Sequence, residues 1–320
     1  NGGRQVDEGV WRGRETWPSV KDAGTLSFAV TPEGLQRTET FDSGTVERTY
    51  EVDHTVGLEA HDLSVPFVDT NADDARSMVF ETSPLDHPIE LTGTGEATVH
   101  LSVDGAVPLC VRLVDKAPDG RARPITRGSV RVEDADNPVT VPLAPVSHVV
   151  EEEHRLRVAI SAADFPSHVP VGTEDSFTIT STPTSPTVIR IPGRDSLSEN
   201  FEETLSMPPP DDAFPIVPPA IKGVDASWET TREHERGSAT RRRQVSTDYV
   251  FPHVEKSYEL DIEASIVHDD PSTLDARATI ETVLEHDDGP VNVETTVHRY
   301  LDGTTVEATV RMDGEPVFEE

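Results

Sequence analysis

Apolar residues in this chain recur at every second position, and that rhythm leaves little room for anything but extended strands. Ala97, Val99, Leu101 and Val103 alternate with Thr98, His100 and Ser102, and Leu109, Val111 and Leu113 alternate with Cys110 and Arg112. The same rule governs Val139, Val141 and Leu143, then Leu156, Val158 and Ile160, then Phe177 and Ile179. Successive side chains of a strand point to opposite faces, so the alternation predicts strands with one buried and one wetted side. Asp104-Gly105, Pro118-Asp119-Gly120, Asn137-Pro138 and Pro166 are placed to turn the chain between them. Many short strands punctuated in this way predict a sandwich or jelly roll and not a βαβ fold. Helix signals are weak throughout.

Residues 194–224 interrupt the rhythm. Met207-Pro208-Pro209-Pro210 and Pro215-Ile216-Val217-Pro218-Pro219 concentrate proline, which has no N–H for a ladder and stiffens the backbone. This stretch is expected to be a linker, or a strap on a neighbouring surface. Over 225–320 a second β region follows. Tyr258, Leu260, Ile262, Ala264 and Ile266 share one face, as do Ala276, Ala278, Ile280, Thr282 and Leu284. Val291, Val293, Thr295 and Val297 form a further strand, and Asp302-Gly303 is a strong hairpin signal joining it to Val306, Ala308, Val310 and Met312. Glu259, Asp261 and Glu263 mark the polar side. The expectation is an antiparallel meander whose apolar face needs cover, from the first β region or from something upstream of residue 1.

Charge narrows the partners. Asp and Glu number 60 against 27 Lys and Arg, a net of −33 spread along the whole chain. The lysines are few: Lys21, Lys116, Lys222 and Lys256. Dense carboxylates, scarce lysine and few aromatics resemble proteins of salt-loving archaea, in which concentrated salt screens self-repulsion. Nucleic acid is excluded as a partner, because phosphate binding needs a basic face. Arg241-Arg242-Arg243 is a short basic run among acids, read as a solvated strand or loop. Cys110 is the lone cysteine, so internal disulfides and cysteine-held structural zinc are excluded, and its strand context predicts a buried inert thiol. No apolar stretch approaches the roughly 20 residues that span a bilayer, so no membrane partner is expected. The chain begins at Asn1 without methionine or a leader pattern, which suggests processing or a piece of a longer protein; a cytoplasmic location is expected.

Several blocks resemble one family. Met78-Val79-Phe80-Glu81-Thr82-Ser83-Pro84-Leu85 precedes Ile89-Glu90-Leu91-Thr92-Gly93. Then come Cys110-Val111-Arg112-Leu113-Val114-Asp115, Pro118-Asp119-Gly120-Arg121-Ala122 and Ile125-Thr126-Arg127-Gly128. Pro145-Val146-Ser147-His148, the run from His154 to Ser161, and Asp164-Phe165-Pro166 complete the series. Their order and spacing are similar to the C-terminal jelly roll of the X-Pro dipeptidyl-peptidase / cocaine-esterase (CocE/NonD) family of serine hydrolases. Trp11 and Trp17-Pro18 resemble its lead-in, and 225–320 is similar to an extension carried by some members.

The resemblance implies an all-β chain, a galactose-binding-like jelly-roll sandwich followed by a C-terminal antiparallel meander. The expected division is a lead-in with the first jelly-roll strands at 1–75, the jelly roll at 76–193, the linker at 194–224 and the extension at 225–320. It also implies an α/β-hydrolase domain upstream in the same protein, bearing a Ser-Asp-His triad that cleaves acyl esters or X-Pro peptides. This chain would support and shape that domain, with a homo-oligomer left open. The rival reading is a free-standing carbohydrate-binding or structural module.

No catalytic, cofactor-binding or metal residue is assigned, and no cofactor is expected. The sequence contains no Gly-x-Ser, so the Gly-x-Ser-x-Gly nucleophile elbow is missing, and Gly193-Arg194-Asp195-Ser196-Leu197 has its serine at the wrong spacing. Ser147, His148 and Asp164 could in principle form a triad, but adjacent strand residues face opposite ways. His148 and His154 flank Glu151, Glu152 and Glu153 without the i, i+4 spacing of a helical zinc site. Asp69, Asn71, Asp73 and Asp74 alternate oxygen donors without the glycine and distal glutamate of a calcium loop, and are read as a solvated loop. Asp287-Asp288-Gly289 is read as a turn, and Trp11 and Trp17 as residues that pack on a neighbouring domain.

The composition makes a prediction of its own. Dialysis from molar to millimolar salt should unfold the chain, seen as loss of its circular dichroism; an unchanged spectrum and melting point would refute salt adaptation.

Overall fold

The computed structural model describes residues 24–40, 44–59, 69–168, 172–195, 220–251, 254–286 and 289–319. Trp11, Trp17, Ser196, Asp287, Asp288 and most of the proline-rich stretch lie outside them.

Two sheets account for almost all of the described chain. The first begins with β1 (Gly24–Thr31), β2 (Gly34–Arg37) and β3 (Val46–Glu51). A single helical turn, α1 (Asn71–Asp74), leads to β4 (Met78–Glu81) and β5 (Ile89–Gly93). Then come the two longest strands, β6 (Glu96–Lys116) and β7 (Ala122–Pro142), followed by β8 (Val146–Val150), β9 (Arg155–Ser161), β10 (Ser176–Ser181) and β11 (Val188–Arg194).

The organising element is β6. β7 runs along the whole of one edge, through a hairpin at 117–121. Along the other edge three strands dock in turn: β11 on Glu96–Thr98, β10 on His100–Ser102 and β9 on Cys110–Lys116. Each brings its own neighbours: β1 and β2, with β5 and β8, on β11; β3 on β10; β4 on β9. The branches enclose one core that includes Phe28, Leu91, Leu109, Leu113, Ile160 and Ile189.

Two of the expected turns are not turns. Asp104-Gly105 lies inside β6 as an irregularity between Val103 and Ala106, where Gly105 takes φ +145°. The strand bends there and continues, as strands do at bulges. Asn137-Pro138 is paired within β7, opposite Leu101 and His100. The hairpin at Pro118-Asp119-Gly120 forms as expected, closed by Ala117 N–H to Arg121 O at 2.9 Å.

The second sheet is a seven-stranded antiparallel meander in sequence order. Its strands are β12 (Ala220–Glu233), β13 (Ser238–Val250), β14 (Val254–Val267), β15 (Asp270–His286), β16 (Gly289–Arg299), β17 (Thr304–Met312) and β18 (Glu315–Glu319). β12 starts inside the stretch expected to be linker, because Ala220 to Val224 pair with β13. The hairpin at Asp302-Gly303 is present, with Tyr300 N–H donating to Gly303 O at 2.8 Å. Arg241, Arg242 and Arg243 sit on β13, and Arg241 is buried, so the run is not simply a solvated segment.

The meander touches the first sheet at one end. Ala239, Ala264, Ile266 and Leu274 pack on Leu58 and Phe165 in a small second core. Elsewhere its apolar side chains are half-buried or exposed, and among the described residues no second layer lies over them. That contrast is measurable. Leu113→Ala in the closed core should cost about 2–5 kcal/mol. Val283→Ala in the meander, whose cross-strand neighbours are the polar Ser257 and Asn292, should cost clearly less by denaturant unfolding; equal losses would mean that this face of the meander is covered.

Candidate functional site

α1 is where the sequence reading and the structure differ most. Asp73 and Asp74 are buried, at 0% and 3% exposure, and are not a solvated loop. Their oxygens are taken by cations from elsewhere in the chain. Arg112 of β6 donates Nη2 to Asp74 Oδ1 at 2.7 Å, and Arg157 of β9 donates Nη1 to Asp74 Oδ2 at 2.6 Å. Arg157 also donates Nε to Glu81 at 2.6 Å. Asn71 Nδ2 donates to Gly120 O at 2.7 Å while Lys116 Nζ donates to Asn71 Oδ1 at 2.7 Å, which ties α1 to the β6–β7 hairpin. Guanidinium groups therefore fill the places that a hard cation would need.

Asp73 faces the other way, toward the meander. Its Oδ2 accepts the Glu59 N–H at 3.0 Å and its Oδ1 accepts Arg232 Nη2 of β12 at 3.4 Å. Arg232 reaches Thr55 Oγ1 as well, at 3.2 Å, and Arg241 donates to the Leu58 carbonyl and lies 3.5 Å from Glu59. His54 N–H donates to His268 O at 2.9 Å. The chain can turn this tightly because Gly57 adopts φ +107°; a Cβ there would stand 2.5 Å from the Asp164 carbonyl carbon. A cavity of about 220 Å³ beside this junction is lined by Asp53, Arg76, Arg232, His234 and His268, among others.

Asp115, at the end of β6, holds His148 Nε2 at 2.9 Å and His154 Nδ1 at 2.6 Å. Burial opposes its charge, but the two imidazole hydrogen bonds outweigh that and keep its pKa below the usual range. An ionised carboxylate only accepts, so each ring presents an N–H to it. The two histidines thus bind one carboxylate and so fix the approach of β8 and β9 to β6. Ser147, His148 and Asp164 are not brought together: His148 turns to Asp115, and Asp164 to Arg127. Cys110 is buried, and burial pushes its thiol pKa up, consistent with an inert side chain.

One serine, imidazole and carboxylate do meet, and the sequence reading missed them. Ser129 Oγ lies 2.8 Å from His168 Nε2, and His168 Nδ1 lies 3.4 Å from Asp164 Oδ2. Acyl transfer needs more than this contact. Asp164 is engaged by Arg127 at 3.1 and 3.0 Å, and its reach to Nδ1 is beyond a normal hydrogen bond. His168 is half exposed, and Ser129 sits mid-strand opposite Cys110 and not on a strained turn. The contact staples the turn at 164–168 onto β7. No spacing could have flagged it, since Ser129 and His168 are 39 residues apart.

The larger cavity, about 490 Å³, is an open cleft lined by residues that include Glu33, Arg48, Phe80, Glu81 and Arg155. Phe80, its one aromatic among the described residues, is 5% exposed, and the Arg48 guanidinium covers its ring at 5.3 Å. Stacking of a sugar would need a bare ring face.

Comparison with known proteins places most of the chain. The family described as the X-Pro dipeptidyl-peptidase C-terminal non-catalytic domain matches residues 1–197. Over 202 residues the chain is 28% identical to a Mycobacterium bovis protein named as a candidate serine esterase, taking in 49% of this chain and 31% of that one. A cocaine esterase of a Rhodococcus species is 26% identical over 195 residues, or 51% of this chain and 33% of the esterase. An aminopeptidase structure from a Thaumarchaeota archaeon of marine sediment covers 53% of this chain and 37% of its own, at 18% identity and a TM-score of 0.46. The chain thus spans about a third of the length of the curated relatives it matches. The meander lies beyond the family match.

Burial of Asp73 gives a pH dependence with a definite sign. Burial pushes its carboxyl up to about 6, against the pull of Arg112 and Arg232. The folded chain keeps a proton on Asp73 that the unfolded chain has lost, so this group adds stability as pH falls from about 6 to about 4 and none above. Asp115 acts in the opposite sense, so the comparison must be with a variant at each pH. Between about pH 7.5 and pH 5, wild type should gain in melting temperature relative to Asp73→Asn; parallel curves would refute the assignment.

Proposed function

This chain belongs to the family of X-Pro dipeptidyl-peptidase C-terminal non-catalytic domains, and from that premise we propose that it is the supporting β region of a serine hydrolase. In that reading an α/β-hydrolase domain upstream in the same protein cleaves acyl esters or X-Pro peptides. The first sheet buries an apolar flank of that domain and shapes one wall of its substrate cleft. The observation that carries the reading is the family match over residues 1–197. Its relatives, about three times the matched length, include proteins named as a candidate serine esterase and a cocaine esterase. The absence of Gly-x-Ser in the sequence supports it, since a nucleophile elbow would have to come from elsewhere. The charge staples around α1 and Asp115 fit a scaffold role, because they fix strands and leave no activated nucleophile.

The test compares two polypeptides in molar salt. The 320-residue chain should not turn over p-nitrophenyl butyrate or an X-Pro p-nitroanilide above blank, whereas the polypeptide extended by its natural upstream sequence should. An extended polypeptide that lacks a nucleophile elbow, or turnover by the short chain that disappears with Ser129→Ala, would overturn the proposal.

A further inference from the structure

The seven-stranded sheet has two chemically opposite sides. Cross-strand partners in an antiparallel ladder share a face, so the register assigns each residue to a side. One row runs Trp228, Arg243, Ile262, Ala278, Val297, Val306. A row on the reverse runs Asp225, Ser246, Glu259, Glu281, Glu294, Thr309. Traced through the ladder from β12 to β17, the rows on the Trp228 side hold no carboxylate, while the reverse holds many. In a chain of net charge −33 such segregation marks a surface from which acids are kept away.

Among the described residues only one end of that side is covered, by Leu58 and Phe165 over Ala239, Ala264 and Ile266. Farther along it is open: Ile221 is 57% exposed, Trp228 51% and Val306 58%. The open rows make a patch of about 750 Å², from strands about 4.8 Å apart and same-face residues about 6.7 Å apart along each strand. A lone sheet must bury its apolar side against a second layer, and monomers rarely expose a patch this large. Its size is close to the roughly 800 Å² per partner of a stable interface.

We propose that this open side is the seat of a second copy of the same chain, the two meanders packing face to face about a two-fold axis. Two chains of net −33 repel wherever carboxylates meet, and on this side β12 to β17 set none against the symmetry mate; Glu315, opposite Met312 on the edge strand β18, stands at the rim. The first sheet covers one end of the same side, so the axis turns the partner end for end. Each first sheet then flanks the other chain's meander. Trp228, exposed on the edge strand β12 beside Arg243 and Val245, is the anchor type that dominates interfaces. Salt strengthens the pairing, because the acids on the two outer faces still repel through space.

Light scattering after size exclusion tests this on the 320-residue chain in molar potassium chloride. The expected mass is twice the chain's 34.9 kDa. Trp228→Glu and Val306→Glu should each give the monomer with unchanged circular dichroism, and Glu259→Gln on the reverse should leave the dimer intact. If one glutamate variant fails to fold, the other decides. A wild-type monomer at about 100 µM, a dimer that survives the folded glutamate variant, or dissociation by Glu259→Gln would overturn the proposal.

Discussion

A carboxylate taken out of water must be met by charge, and the first sheet depends on that demand at α1. Asp74 lies within the fold and is held by Arg112 and Arg157, which come from neighbouring strands β6 and β9. Removing one partner from such a group typically costs about 3–5 kcal/mol, because the remaining charge stays buried and alone. Asp73, its neighbour, carries the same demand to the meander through Arg232. Adjacent residues in one helical turn thus fasten the core of one sheet and its junction with the other. Among the described residues hydrophobic contact at the junction is slight by comparison, made by Leu58 and Phe165 against a few small and aliphatic residues.

The strands were legible because burial on one face writes itself into the sequence with period two. The meander in particular follows from its alternation, down to the hairpin at Asp302-Gly303. What could not be read were features set by partners far away. Asp73 and Asp74 look like loop acids until Arg112, Arg157 and Arg232 are seen to converge on them from 38 to 159 residues away. Asp104-Gly105 has the composition of a turn, yet pairing with β7 on both sides of it carries β6 past it with only a bend. His148 and His154 invite a metal reading only while Asp115, more than 30 residues upstream, is left out. In each case local chemistry named the group correctly and tertiary context decided its use.

The two sheets stand in different relations to function. The first belongs to a family of non-catalytic domains, and its polar residues are spent on holding strands together. The second lies outside the family match and from β12 to β17 keeps its acids to one side. The meander is better understood as an added connector, fixed to the scaffold by Arg232 and Arg241 and presenting a neutral-to-basic side to whatever it meets.

The architecture of β6 also dictates a history for the newly made chain. β7 emerges directly after β6, and the two can zip through a local hairpin. The strands that complete the other edge, β9, β10 and β11, arrive only between Arg155 and Arg194, and β1 has no ladder partner but β2 until β11 arrives. Closure of the core therefore waits until β11 has followed β1 out of the ribosome, from Gly24 to Arg194, and loops of this span are slow to close. During that wait unpaired apolar edges stand open to other chains. A nascent chain dense in like charge repels its neighbours over the same interval, so the acidity that keeps the mature protein dispersed would also shield it while it is half-built.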